Sequence, residues 1–175
     1  MKHYNKIRLF ILISVIGLLT SIFFDDIIAE NIHFPAMPIV IASEPILLGV
    51  MALTLLFLIF RKFGLRFTFL TSILLGAILL ATQVIKLLIE RVRPSDYTFD
   101  FSFPSGHSSF TFALVPLAFA HSKKAGIIIL SMASMVAISR ILLKEHYLSD
   151  VIAGSILGYT ISWIYINMIG RDDNK

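Results

Sequence analysis

Three short groups of polar residues interrupt the otherwise apolar second half of this chain, and their residue types could do chemistry. The groups are Lys86 with Arg93-Pro94, then Pro104-Ser105-Gly106-His107, and then Ser139-Arg140 with His146 and Asp150. Ionisable residues in apolar surroundings are costly to keep, so they are candidates for a functional role. A Pro-Ser-Gly-His run taken alone is typical of any helix start.

Lys86, Arg93 and Arg140 are three fixed cations, and the sequence places no equal set of acids beside them. Arg presents a planar fork that matches two phosphate oxygens, and Lys adds a point charge. Ser105 and Gly106 stand at a predicted helix N-terminus, where free N–H groups favour an anion, and Gly106 lets the backbone approach closely. The pattern predicts a site for a phosphoryl group whose oxygens gain charge in the transition state.

His146 and Asp150 are spaced i, i+4, which predicts that they share one face of a helix. Asp150 could accept the Nδ1–H of His146, which would fix the tautomer and leave Nε2 free to attack. His107 is a second imidazole that could move protons near neutral pH. We therefore expect one histidine to act as a nucleophile and the other as an acid.

Other interpretations of the same residues stay open at this point. Lys86 alone could extend toward a membrane interface, and a His–Asp pair at this spacing is often only a structural hydrogen bond. His107, His146 and Asp150 could instead ligate a metal ion, although three nearby cations would repel one. We interpret the remaining histidines and several charges as ordinary surface, interface or loop residues: His3, His33, His121, Glu90, Arg91, Lys144 and Glu145.

The composition shows what kind of framework must position these groups. Hydrophobic residues make up 57% of the 175 residues and charged residues only 15%, against about 25% in a soluble domain. A small soluble globule with so few charges would leave large apolar patches in water, and disorder needs the opposite composition. The chain has no cysteine, which excludes disulfides, thiolate metal sites and cysteine nucleophiles.

Six apolar stretches predict an all-α integral membrane bundle of six helices. They cover residues 9–24, 45–60, 67–89, 108–120, 125–143 and 147–169. A spanning helix needs about 20 apolar residues, so the third, fifth and sixth are long enough. The first, second and fourth are short and must borrow flanking residues or lie inside protein. The first has no small-x-small cleavage site after it, so we expect a retained helix rather than a signal peptide.

The charges of the loops predict which way the bundle faces. One set of alternate loops and termini holds ten basic residues: Lys2, Lys6, Arg8, Arg61, Lys62, Arg66, Lys123, Lys124, Arg171 and Lys175. The other set holds only five basic residues. It also holds nine of the 11 acidic residues: Asp25, Asp26, Glu30, Glu44, Glu90, Asp96, Asp100, Glu145 and Asp150. Because cytoplasmic loops collect Lys and Arg, we expect cytoplasmic termini and three extracytoplasmic polar groups. This distribution argues against nucleic acid as the reason for the net charge of +4.

Taken together, the three groups resemble the signature of the type 2 phosphatidic acid phosphatase (PAP2) family, which vanadium haloperoxidases share. The family pattern is Lys-x6-Arg-Pro, Pro-Ser-Gly-His and Ser-Arg-x5-His-x3-Asp. This chain carries every defined position at the right internal spacing, between Lys86 and Asp150. The haloperoxidase branch is soluble and far larger, so this hydrophobic chain resembles the small membrane phosphatase branch.

The resemblance implies a role for each motif residue. His146 would form a phosphohistidine, Asp150 would support it, and His107 would protonate the leaving oxygen and then activate water. The residues that would hold the phosphoryl group are Lys86, Arg93, Ser105, Gly106 and Arg140, with help from Ser139. The resemblance implies no metal and no other cofactor.

We therefore expect one six-span domain over residues 1–175, with its motifs within 86–150, that acts as a metal-independent lipid phosphatase in the cell membrane. The favoured substrate is a polyprenyl diphosphate such as undecaprenyl diphosphate, whose phosphates need recycling on the side where the site is predicted. The alternative is phosphatidylglycerophosphate or phosphatidate. A non-enzymatic alternative is a small anion transporter or structural membrane subunit, although no internal repeat or interrupted helix indicates one. No nucleic acid and no obligate protein partner is implied.

Overall fold

The described parts of the chain are helices joined by short connections. The structure is a computed structural model that describes residues 2–31, 38–95 and 100–172, with side chains for 12–31, 46–95 and 100–169. Five helices lie in these ranges: α1 Lys2–Asn31, α2 Pro38–Ile89, α3 Gly106–His121, α4 Lys123–Leu142 and α5 Leu148–Asp172. The same ranges contain no strand, which confirms the predicted all-α class.

Helix α2 contains two of the predicted apolar stretches and bends sharply between them at Gly64. Gly64 has φ 82° and ψ −179°, a conformation that residues with a Cβ rarely adopt. Leu48 and Gln83 lie on opposite sides of this bend, yet both line one cavity. A continuous helix would separate them by about 50 Å at 1.5 Å per residue. The chain therefore folds back at Gly64, and the two arms of α2, 38–63 and 65–89, run alongside each other.

Helix α3 lies at the centre of the bundle. Its 16 residues span about 24 Å, which is shorter than the roughly 30 Å core of a bilayer. Residues 113–118 are all buried, and α2, α4 and α5 pack around them. Lys62 closes the C-terminal end of α3 by donating to the Ala120 carbonyl oxygen at 3.0 Å. The prediction that a short stretch lies inside protein is confirmed for this one.

Two glycines let α5 approach α3 closely. A Cβ at Gly158 would lie 1.8 Å from the Ser109 carbonyl oxygen, and a Cβ at Gly154 would lie 2.4 Å from the Ser105 carbonyl oxygen. Small residues at four-residue spacing allow helix backbones to pack at such short range. This packing places the first turn of α3 against the start of α5, so two of the three polar groups meet there.

Four helical segments are long and apolar enough to cross a membrane: Leu12–Asn31, Ile46–Ile89, Lys123–Leu142 and Leu148–Ile169. Large apolar side chains are exposed along them, among them Phe23, Leu53 and Met135, and such surfaces are typical of contact with lipid. The prediction of six separate helices differs from the five in the described residues. The difference lies in stretches two and three, which are the two helical arms of α2 on either side of the non-helical kink at Gly64.

Candidate active site

The Pro-Ser-Gly-His group forms the start of α3, as the sequence predicts. The Phe103–Pro104 peptide bond is cis, and Ser105 caps the helix by accepting a hydrogen bond from the Ser108 N–H at 3.4 Å. The Ser105 N–H donates to the carbonyl oxygen of Asp150 at 2.9 Å. This bond ties the second polar group to the third and holds His107, in the first turn of α3, beside the start of α5.

A cavity of about 450 Å³ opens beside this helix start. Its polar wall combines residues of all three groups and two others: Lys86, Arg93, Gly106, His107, His146, Gln83 and Asp100. Its second wall is apolar and comes from Leu48, Gly49, Leu79 and Phe110. A cavity of this size and mixed lining fits a small polar group attached to an apolar chain. The three polar groups, distant in sequence, therefore meet at one site.

The cations that line the cavity, Lys86 and Arg93, share one acid, Asp100. Lys86 Nζ is 2.6 Å from Asp100 Oδ2 and donates to the Phe101 carbonyl oxygen at 2.7 Å. Arg93 Nη2 donates to the same Asp100 oxygen at 2.9 Å. The Asp100 side chain is 53% exposed. One half-exposed carboxylate therefore occupies the position toward which both cations point.

Arg140 is buried behind the cavity and is held by a second acid. Its Nη1 donates to Glu145 Oε2 at 2.6 Å, and Arg93 Nη1 lies 3.8 Å from the same oxygen. The interpretation of Glu145 as an ordinary loop charge is therefore wrong, because it bridges two of the predicted phosphate ligands. We call this set of residues the clamp: Lys86, Arg93, Arg140, Asp100 and Glu145.

Ser139 lies beside the clamp rather than at the cavity. Its hydroxyl donates to the Val136 carbonyl oxygen of its own helix at 2.8 Å, and the Arg140 Nε lies 3.5 Å from its Oγ. Arg140 itself is 2% exposed. The structure thus brings Ser139 next to a predicted phosphate ligand and not directly to the space where a phosphate fits.

His146 and Asp150 face each other, but not from one face of a helix as their spacing predicted. His146 lies in the connection before α5, and Asp150 lies in the first turn of α5. His146 Nδ1 is 3.6 Å from Asp150 Oδ2, slightly beyond hydrogen-bond distance. The His146 N–H donates to the Arg140 carbonyl oxygen at 3.2 Å, which fixes this residue next to the clamp. With Nδ1 facing Asp150, Nε2 is the ring nitrogen available to the cavity.

The surroundings of His146 favour its neutral form. Burial, the largest influence, lowers the pKa of His146, and the positive charges of Arg93 and Lys86 lower it further, while Asp150 acts in the opposite direction. Burial raises the pKa of Asp100, but hydrogen bonds and charges from Lys86 and Arg93 outweigh it and lower that pKa overall. At neutral pH the site therefore presents an unprotonated imidazole, which is the form that can act as a nucleophile.

A second ion cluster, which the motifs do not reveal, lies behind His146. Arg91 Nη1 is 2.9 Å from Asp150 Oδ1, and Arg91 Nη2 is 2.9 Å from Asp25 Oδ2. The Ser149 N–H donates to Asp25 Oδ1 at 2.9 Å. Asp25 belongs to α1 and Arg91 to the connection after α2, so the interpretation of Arg91 as an ordinary loop charge is wrong. We call this set the anchor: Asp25, Arg91, Ser149 and Asp150.

The arrangement of the histidines and acids also bears on the metal-site alternative. Among the residues that the structure describes, no three His, Cys, Asp or Glu side chains lie together in a way that could hold a metal ion. His107, His146 and Asp150 therefore do not form the metal-ligand set that their residue types allowed.

The three motifs and their geometry agree with a comparison against protein families. The model of the PAP2 superfamily matches residues 65–173, more than half of the chain, and the match includes all three polar groups. This chain belongs to the PAP2 superfamily. The resemblance drawn from the motif residues is thereby confirmed, and the several apolar helices make this PAP2 chain a multi-pass membrane protein.

Curated proteins are similar to this PAP2 chain over part of its length. Phosphatidylglycerophosphatase B of Bacillus subtilis is 35% identical over 100 residues, which cover 49% of this chain and 49% of that protein. The bacitracin transport permease protein BcrC of Bacillus licheniformis is 43% identical over 63 residues, 36% of this chain and 31% of that protein. The chain thus matches about half the length of the first relative and a third of the second.

A solved structure of a transmembrane PAP2-type phosphatidylglycerolphosphate phosphatase from Bacillus subtilis shares the fold. The alignment covers 89% of this chain and 96% of that protein, with a TM-score of 0.59 and 24% sequence identity. At this identity the likeness concerns the fold. The fold of this chain is therefore similar to one already seen in a transmembrane protein.

Proposed function

We propose that this PAP2 chain is an integral membrane lipid phosphatase that hydrolyses a lipid phosphomonoester or diphosphate through a phosphohistidine. The observation that carries the proposal is the cavity that His107 and His146 share with Lys86 and Arg93, with Asp150 behind His146. Two histidines, a carboxylate and fixed cations are the groups that a phosphoryl transfer through nitrogen needs. Membership of a superfamily with phosphatase relatives supports the same activity.

In the first step, His146 Nε2 attacks phosphorus. A nitrogen–phosphorus bond forms while the bond between phosphorus and the leaving oxygen breaks, and His107 gives its proton to that oxygen. Asp150 Oδ2 faces Nδ1 and stabilises the positive charge that the ring gains. With a phosphomonoester substrate, the leaving group is the lipid alcohol. With a diphosphate substrate, the leaving group is the lipid monophosphate.

In the second step, water attacks the phosphorus of the phosphohistidine. His107, which has lost its proton, accepts one from this water as the phosphorus–nitrogen bond breaks. Inorganic phosphate forms, and both histidines return to their starting states. Each histidine therefore has a separate task, although both line the same cavity.

The clamp supplies the positive charge that both transition states need. Lys86 and Arg93 line the cavity beside Gly106, the first residue of α3, whose N-terminal end favours an anion. Phosphate oxygens would replace the carboxylate of Asp100 as the partner of both cations. Ser105 positions the first turn of α3 as its cap.

Arg140 and Ser139 complete the proposed phosphate site from behind the cavity. A phosphate oxygen would replace Glu145 as a partner of Arg140, since the Glu145 oxygen that Arg140 binds lies 3.8 Å from Arg93, which lines the cavity. Ser139 would orient Arg140, because its hydroxyl lies 3.5 Å from the Arg140 Nε. Arg140 would therefore contact the phosphoryl group from the last turn of α4, and Ser139 would act only through Arg140.

The apolar wall of the cavity favours a lipid phosphate over a water-soluble one. Leu48, Leu79 and Phe110 would contact the first carbons of the chain beyond the phosphate. The name of the Bacillus subtilis relative supports phosphatidylglycerophosphate at least as strongly as the sidedness argument supports a polyprenyl diphosphate. Comparison of kcat/KM for phosphatidylglycerophosphate, phosphatidate and a polyprenyl diphosphate decides between them, because the true substrate should exceed the others at least tenfold.

The proposal includes one domain over 1–175 with six membrane crossings, two of them the arms of α2, in the cell membrane. Both termini would be cytoplasmic and the clamp extracytoplasmic, as the distribution of basic residues suggests. Because the chain has no cysteine, single Cys probes at Asn5, Thr98 and Asn174 can be labelled cleanly. Labelling of Asn174→Cys from outside intact cells would contradict this orientation, and labelling of Thr98→Cys alone would support it.

Phosphate release by the purified chain from a short-chain lipid phosphate, with EDTA present, tests the proposed activity. We expect release by the wild type and by Arg66→Gln, which changes an exposed cation away from the cavity. We expect none from His146→Ala. Failure of the wild type on every lipid phosphate of the panel would favour a non-enzymatic membrane protein instead.

A further inference from the structure

The anchor connects α1 to the acid behind His146, and three of its four members, Asp25, Arg91 and Ser149, belong to none of the three motifs. We propose that Arg91 and Asp25 are positioning residues, which hold Asp150 in the orientation that His146 needs and make turnover depend on the docking of α1. The kinetic part of this inference rests on the proposed phosphatase function. Its second part concerns the ionisation of His146 and needs no turnover.

The guanidinium of Arg91 serves three acceptors at once. Its Nη1 donates to Ser149 Oγ at 2.6 Å and to Asp150 Oδ1 at 2.9 Å, and its Nη2 donates to Asp25 Oδ2 at 2.9 Å. The same group lies over the ring of Tyr147, 4.0 Å from the ring centroid. A planar fork can make these contacts together, whereas an ammonium group at the same place cannot. The geometry therefore requires an arginine and not merely a positive charge.

Asp25 has partners only outside its own helix among the contacts of the described residues. Its side chain is 2% exposed, and it accepts hydrogen bonds from the Ser149 N–H, the Ser149 hydroxyl and Arg91. A carboxylate buried so deeply is costly unless it is hydrogen-bonded and paired with a cation. These contacts join α1 to the start of α5 and contribute nothing to α1 itself, so Asp25 serves the site and not the helix that carries it.

The two carboxylate oxygens of Asp150 have different partners. Oδ1 accepts from Arg91, whereas Oδ2 accepts from the Tyr147 N–H at 2.8 Å and faces His146 Nδ1 at 3.6 Å. With Oδ1 held in a charged hydrogen bond, the carboxylate cannot rotate without losing that bond. Arg91 on Oδ1 and the Tyr147 N–H on Oδ2 therefore hold the carboxylate together in its orientation toward the imidazole.

The anchor also sets the balance of charge behind His146. The charged groups around His146 are Asp150 from α5, Arg93 and Lys86 at the end of α2 and beyond it, His107 from α3, Glu145 directly before it, and Lys144 and Asp25, which line a small pocket beside it. Arg91 lies one step further, bound to the Asp150 oxygen that does not face the ring. Replacing Arg91 by a neutral residue removes a repulsion and should raise the pKa of His146. Replacing Asp25 by a neutral residue removes an attraction and should lower it.

The kinetic test uses the full chain with Arg91→Gln, Arg91→Lys and Asp25→Asn. The matched control is Asp26→Asn, which changes the adjacent but exposed acid of α1. We expect kcat to fall on the order of 10- to 100-fold for the three anchor variants, as expected when a supporting residue is lost, with little change in KM because Arg91 and Asp25 do not line the cavity. Asp26→Asn should match the wild type.

The second readout is an NMR titration of histidine-labelled protein, with the His146 signal assigned by its loss in His146→Asn. We expect a raised pKa of His146 in Arg91→Gln, a lowered one in Asp25→Asn and none of this shift in Arg91→Lys, which keeps the charge. A loss of kcat with an unchanged His146 pKa in all three variants would overturn the inference. So would His146 pKa shifts in the directions opposite to those expected, with kcat at the wild-type level. A wild type that releases no phosphate would refute the phosphatase function, and the titration would still decide whether the anchor acts on His146.

Discussion

The clamp and the anchor are both built from cations and carboxylates, but they differ in how far their acids are buried. In the clamp, the side chains of Asp100 and Glu145 are 53% and 18% exposed. In the anchor, those of Asp25 and Asp150 are 2% and 0% exposed. Exposed ion pairs contribute little to stability, whereas loss of one partner from a buried pair leaves an uncompensated charge. One cluster can therefore exchange partners, and the other is fixed.

This difference suits the two clusters to different tasks at one site. A phosphate monoester carries up to two negative charges and three acceptor oxygens, so it can take the place of the clamp acids. Until then, Asp100 and Glu145 keep Lys86, Arg93 and Arg140 in position. The anchor has no comparable opening to the cavity, and its contacts hold the start of α5 to α1 and to the connection after α2. We infer that substrate binding rearranges the clamp and leaves the anchor intact.

The largest expected effect separates charge from geometry in the clamp. Arg93→Lys and Arg140→Lys keep the charge but lose the planar fork. Loss of a transition-state contact in a site from which water is excluded costs about 2.7–4 kcal/mol, or roughly 100- to 1,000-fold in kcat. Steady-state kinetics of both variants, with Arg66→Lys as an exposed control, measure this effect. Activity within a few-fold of the wild type would remove that arginine from the phosphate site.

A smaller effect concerns the pH dependence of kcat/KM, which the imidazole of His146 between the two clusters should control. Because burial and the clamp cations lower the pKa of His146 below its ordinary 6.5, the neutral ring persists to more acidic pH. An unshifted histidine would lose about tenfold in kcat/KM by pH 5.5. We expect the acid limb of kcat/KM, corrected for the ionisation of the substrate phosphate, to be centred below pH 6.5. An acid limb centred at or above 6.5 would show that His146 is not held in its neutral form.

The smallest expected effect tests whether the clamp acids exchange with phosphate. Asp100→Asn removes the carboxylate that Lys86 and Arg93 share, so inorganic phosphate or vanadate should inhibit more tightly. Because Asp100 is about half exposed, the gain should be modest, roughly two- to fivefold. Asp26→Asn is the control, and Asp25→Asn should leave the inhibition constant unchanged. Weaker inhibition of Asp100→Asn would mean that Asp100 helps to hold the anion and does not compete with it.

The residues of the site that could be predicted from the sequence are those of the three motifs, which lie at fixed intervals along the chain. Pro-Ser-Gly-His predicts a capped helix start, and Ser105 forms that cap in the structure. Apolar stretches of helical length predict the all-α bundle, because a helix that is apolar on all sides must be surrounded by protein or by lipid. The gathering of the three polar groups follows from their common side of the bundle, and the cavity confirms that they meet.

The partners of these residues could not be predicted in the same way. Arg91 and Asp25 are 66 positions apart in sequence, and Ser149 and Asp25 are 124 apart. Nothing local distinguishes Asp25 from Asp26, since only the way α1 docks decides which carboxylate is buried. Likewise, Glu145 looks like a loop acid until the turn after α4 brings it to Arg140. Contacts that depend on helix docking, or on the course of a turn, leave no trace in local spacing.

For His146 and Asp150, the predicted side-chain pairing is present, but the predicted local structure, a helix that contains both residues, is not. Their i, i+4 spacing predicts one helical face, but His146 precedes α5. The two still approach to 3.6 Å because the Tyr147 N–H bonds to Asp150 Oδ2 and turns the chain back over the start of the helix. The side-chain pairing was predicted, and the turn that produces it was not.

Trapping of the phosphorylated enzyme tests the division of labour between the two histidines. The purified chain would be mixed with a phosphate-labelled substrate that has a good leaving group, such as a nitrophenyl phosphate, and quenched in base, where phosphohistidine survives. We expect His107→Ala to accumulate label, because the first step needs little acid help with this substrate and the second step lacks its base. We expect no label in His146→Ala. Label that persists in His146→Ala, or no label in His107→Ala although the substrate is consumed, would contradict the assignment of His146 as the nucleophile.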